Sequence, residues 1–65
     1  MSYQDDFDNV AQEVLAKVAN GATLNYRLCQ TVIAERGSTA RPGAILFTTA
    51  GLLSQRAHAA RFAAG

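Results

Sequence analysis

Residues 42–62, PGAILFTTAGLLSQRAHAARF, decide how the rest of this 65-residue chain is read. At about 100° per residue, Leu46, Ala50, Leu53, Ala57 and Ala60 fall on one line of a helix. Ile45, Leu52, Ala59 and Ala63 occupy the adjoining sector, so the apolar arc spans roughly 180°, wider than the ~100° that one core contact requires. The stretch predicts a long helix over 42–63 with two apolar sides. The Leu46 line is expected to hold the rest of the chain, and the second sector is left over.

Working back from Pro42, the segment GSTARPG (37–43) is built of residues that cap, turn or break. Pro42 suits a first helical turn, where its missing N–H costs nothing, with Ser38, Thr39 or Arg41 near the cap position. Before it, Gly37 is placed to close a helix over 24–36 in the left-handed conformation, with Thr23 as the expected N-cap. In that second helix Leu24, Leu28 and Val32 form one stripe and Tyr26, Cys29 and Ile33 its neighbour. Arg27, Gln30, Thr31 and Ala34 lie opposite, and the two stripes predict the most buried helix of the three.

The first helix is predicted over 3–20. Ser2 is a cap residue followed by the acidic first turn that a helix dipole favours, and Asn20 and Gly21 end the pattern. Tyr3, Phe7, Val10, Ala11, Val14, Leu15, Val18 and Ala22 cluster within about 140°, with Asp5, Gln12, Glu13, Ala16 and Asn20 on the other side. The fold expectation is therefore all-α: one small helical domain over residues 1–65, with two shorter helices packed on a long C-terminal helix.

Size and composition bound the function. Nineteen larger apolar residues stand against thirteen alanines, so much of the apolar content buries little area. A domain of this length buries only ~60% of its unfolded surface, and association is one way such chains gain stability. The single cysteine allows no internal bridge, which fits a reducing, cytoplasmic setting. The start, MSYQDDFDN, is acidic where a secretory signal is basic and then apolar. The longest uncharged run, residues 42–55, makes about 21 Å of helix, short of a ~30 Å hydrocarbon core, so no membrane span is expected.

Chemistry-bearing residues are few. His58 is the only histidine and falls on the polar side of the third helix, while Cys29 falls on the apolar side of the second. Together they fall short of the three or four clustered ligands of a metal site, and Cys29 has no base to activate it. The carboxylates Asp5, Asp6, Asp8 and Glu13 crowd the start of the first helix, where dipole complementarity accounts for them. No Gly-Lys-Ser/Thr follows the 37–43 loop and no strand precedes it, which removes a phosphate-binding loop. No catalytic set, metal or cofactor is expected. The third helix also lacks the strongly basic polar face of a membrane-surface helix, since Thr48, Ser54 and Gln55 are neutral.

Two binding readings remain. The order helix, glycine turn, helix is that of a helix-turn-helix DNA-binding regulator, with Arg41, Arg56 and Arg61 as candidate anion or nucleic-acid contacts. Its recognition helix would begin Arg41, Pro42, Gly43, Ala44, Ile45, Leu46, Phe47, without the Asn, Gln or Lys that reads base edges. The other reading is protein–protein interaction, either as a self-assembling subunit or as an adaptor or inhibitor docking on a larger protein. Small residues on several sides of the third helix let another helix approach, and Phe47 and Phe62 point away from the main stripe. The partner-binding set expected here is Ile45, Phe47, Leu52, Ala59, Phe62 and Ala63.

Overall fold

The computed structural model describes the backbone of residues 2–64 and the side chains of residues 2–61. It contains three helices, α1 (Tyr3–Ala19), α2 (Tyr26–Arg36) and α3 (Pro42–Ala64), with no strand among the described residues. The long C-terminal helix packs against both shorter ones, and these pack against each other.

The helix ends follow from local chemistry. At the start of α1 the Asp5 backbone N–H donates to Ser2 Oγ at 3.2 Å, with Asp5 and Asp6 in the positive first turn. At its end the Gly21 N–H reaches the Val18 carbonyl and the Ala22 N–H the Lys17 carbonyl, with Gly21 at φ 107°. The same pair of bonds closes α2, from Gly37 to Ala34 and from Ser38 to Ile33, with Gly37 left-handed at φ 62°. Both are Schellman closures, which satisfy carbonyls that the helix itself cannot.

One boundary differs from expectation. Asn25, not Thr23, caps α2, its Oδ1 accepting from the Leu28 N–H at 2.8 Å. Starting at Tyr26 leaves Leu24 just ahead of the cap and Cys29 four residues into the helix, the spacing of a hydrophobic staple. Leu24 packs against the cluster that contains Cys29. A helix begun at Leu24 would have given up that arrangement.

The core is formed by Val10, Ala11, Val14 and Leu15 of α1, Cys29 and Val32 of α2, Ala40 of the second loop, and Ile45 and Thr49 of α3. Phe7, Val18, Leu28, Ile33 and Leu46 pack around it half-buried. It is α1, with its cleaner apolar stripe, that is the most buried helix, and not α2 as the two stripes of α2 had predicted. Tyr26 of α2 remains 51% exposed. Burial pushes the Cys29 thiol above its ordinary pKa, so it is an inert apolar filler at neutral pH.

Polar ties fix the frame. Arg36 and Glu13 pair across α1 and α2 at 3.1 Å, worth at most about 1 kcal/mol at such partial exposure. Ser38 Oγ donates to Asp6 Oδ2 at 2.5 Å and accepts from the Ala40 N–H at 3.0 Å. The acidic start of α1 is thereby held beside the loop that leads into α3.

In α3 the expected facing is rotated. Ile45 and Thr49 are fully buried, Leu46 and Leu53 of the predicted core line are half-buried and its Ala50 is exposed, while Ala57 and Ala60 lie on the part of α3 that outruns the other two helices. The reason is area: the turn brings Ile45 and Leu52 inward, keeps Leu46 and Leu53 half-buried, and gives up only Ala50. The rotation has a cost, because Thr49 Oγ1 is buried with no hydrogen-bond partner.

Candidate interaction surface

Burial along α3 divides it sharply. Pro42, Ile45, Leu46, Thr48, Thr49, Leu52 and Leu53 are buried or half-buried, and every residue from Ser54 to Arg61 is exposed. Those eight residues extend the helix about 12 Å beyond its last packed turn. The overhang carries Arg56, His58 and Arg61 and, among the described residues, no carboxylate.

On the packed half, the side turned from the core centres on Phe47, which is 82% exposed. It lies about 200° around the helix from Ile45. Its four neighbours on that surface, at i−4, i−3, i+3 and i+4, are Gly43, Ala44, Ala50 and Gly51, all exposed. One phenyl ring therefore stands on a shelf of glycine and alanine. A methyl group placed at Gly51 would meet nothing within 4 Å.

The expected partner-binding residues are thus not one surface. Ile45 belongs to the core and is withdrawn from it: with no exposure it touches nothing outside the chain. Leu52 is half-buried at the edge of the core, whereas Ala59 sits on the exposed overhang. The side chains of Phe62 and Ala63 lie outside the described residues. Among the described members of the set, Phe47 alone is both large and open. The sequence does not single out Gly43 and places Ala50 on the core line, because nothing in a run of small residues marks which of them surround an exposed ring.

The basic candidates do not converge either. Arg41, Arg56 and Arg61 are all exposed, but Arg41 and Arg56 are about 22 Å apart along the helix, and Arg56 and Arg61 differ by about 140° in direction. A shallow open groove between the start of α1 and the 37–41 loop is lined by Ser2, Tyr3, Asp6, Gly37 and Thr39. Among its described lining residues the charged group is the Asp6 carboxylate, already engaged by Ser38.

Among the described residues no three His, Cys, Asp or Glu side chains gather as a metal site, and no helix is long and apolar enough to cross a membrane. Compared with protein-family models, characterised proteins and solved structures, the chain matches none.

Proposed function

We propose that this is a non-enzymatic protein–protein interaction protein whose binding surface is the outer side of α3, centred on Phe47. The observation that carries the reading is the 82% exposure of Phe47 on the side of α3 opposite the core. A ring so placed buries little area within the monomer, and its transfer from water to a partner surface is worth on the order of 2 kcal/mol. Aromatic side chains are enriched at interfaces and serve as anchors once a partner desolvates them. Compared with the sequence expectation, the surface is turned from the Ile45–Leu52 sector to the Gly43–Phe47–Gly51 side.

The test is the mass of the purified chain in solution, alone and mixed with extract from its source, for wild type and Phe47→Glu. Assembly lost in Phe47→Glu, with the helical circular-dichroism spectrum unchanged, is the expected result. Assembly that survives the substitution would move the interface elsewhere and defeat the reading. Duplex DNA binding that weakens steeply with salt and depends on Arg41, Arg56 or Arg61 would support the helix-turn-helix regulator instead.

A further inference from the structure

We infer that the occupant of the Phe47 side is a second copy of this chain, its α3 lying antiparallel across the first about a two-fold axis near residue 49. The inference rests on the interaction reading above and adds the partner and its orientation.

Two features of the molecule point to it. The first is shape. A two-fold interface must be complementary to itself, so that any knob on one copy finds a hole on the same face of the other. With the axis at the level of residue 49, Phe47 of each copy comes level with Gly51 of its partner. The face carries both halves of that contact one helical turn apart. Gly51 is a costly residue inside a helix, less favourable than alanine by about 1 kcal/mol. Nothing in its own chain requires the missing side chain. A partner ring seated there would.

The second is charge. In the antiparallel register, residues 42–56 of the two copies lie side by side, and the rest of each overhang passes beyond the first turn of the partner's helix. That brings Arg61 of one copy level with the 37–41 loop of the other. There the Asp6–Ser38 bond holds the start of α1, with Asp5 and Asp8 exposed beside it. Among the described residues, Asp5, Asp6 and Asp8 outnumber Arg41 at that end, Arg36 being paired with Glu13. At the other end His58 and Arg61 lie within about 40° of the Phe47 direction with no carboxylate near them on the overhang, and Arg56 points to the opposite side. Antiparallel stacking brings the basic overhang of each copy toward the acidic end of the other. Parallel stacking would set the two basic overhangs against each other.

The paired length is about 22 Å of helix, short of what a standard interface of ~800 Å² per partner takes. The dimer is accordingly expected at dissociation constants on the order of micromolar.

Sedimentation equilibrium of the full chain across that range, with no other protein present, gives the first answer: a monomer–dimer equilibrium is expected. Phe47→Glu should abolish it. Gly51→Leu, which has open space in the monomer, should weaken it at least about tenfold while leaving the isolated chain as helical as before. Arg61→Glu should weaken it about two- to fivefold, the range of an exposed pair. Orientation is read with a short bismaleimide on single-cysteine additions, Cys29 being buried. Ala50→Cys, near the axis, should crosslink. His58→Cys should not, since the two positions are about 27 Å apart along the helices. Efficient crosslinking through His58→Cys would overturn the antiparallel arrangement. A chain monomeric throughout would overturn self-association; if Phe47→Glu still abolished a complex with another protein, the interaction reading would survive. A dimer indifferent to Phe47→Glu would defeat both.

Discussion

Residues 42–53 and 54–61 of α3 are joined without a break and are both rich in small and apolar side chains, yet their surroundings have little in common. The first segment buries Ile45 and Thr49 completely and half-buries five of its neighbours, while the second is exposed at every position. What distinguishes them is the reach of α1 and α2, which stop contributing neighbours after Leu53. The first segment is helical because packing holds it. The second depends on the helix propensity of Ala57, Ala59 and Ala60 and on continuation of a helix already nucleated. Apolar composition alone therefore says nothing about burial in a helix that outruns its partners.

The contrast is broken most forcefully at Ile45. Ile45→Ala should cost 2–5 kcal/mol, roughly the range for a fully buried aliphatic side chain, and much of that is what a chain of this size has to lose. Urea denaturation followed by circular dichroism measures it. A loss below about 1 kcal/mol would mean that the packed segment is not held by this residue.

Thr49 sharpens the same contrast in the opposite direction. Its hydroxyl is buried without a partner, so Thr49→Val, which keeps the shape and removes the hydroxyl, should stabilise the chain by about 1–2 kcal/mol. The thermal midpoint should rise. A fall would show that the hydroxyl is in fact hydrogen-bonded in solution.

The smallest effect belongs to the overhang. At concentrations where the chain is monomeric, Ala57→Gly should cost no more than about 1 kcal/mol, confined to the local helix. Helical ellipticity should drop slightly while the urea midpoint stays in place, because no core contact is touched. A midpoint shift comparable to that of Ile45→Ala would mean that residues 54–61 are packed in the monomer after all.

Legibility in the sequence tracks the range of the interaction concerned. Ser2 as a cap, the glycine closures at Gly21 and Gly37 and the proline start of α3 depend on groups within a few residues of one another, and all are present as read. The candidate surface was half legible: Phe47 stood out as a large apolar residue off the main stripe, but Ile45 was set beside it when it belongs to the core. An apolar arc near 180° has no single best direction, so neither the moment of the helix nor the spacing of its leucines could choose between adjoining sectors.

The sequence by itself determined that there are three helices, nearly where each ends, and that the last has more apolar surface than a single contact uses. Only the tertiary structure decided which side of α3 faces inward, that Asn25 caps α2 so that Leu24 can join the core, and where α3 leaves its neighbours behind. The physical reason is the same in each case. Capping is settled by a few neighbouring hydrogen bonds, whereas facing is settled by the total area that three helices bury together. For α3 the balance tipped toward Ile45, far enough to bury an unpaired threonine hydroxyl and to leave Phe47 in water.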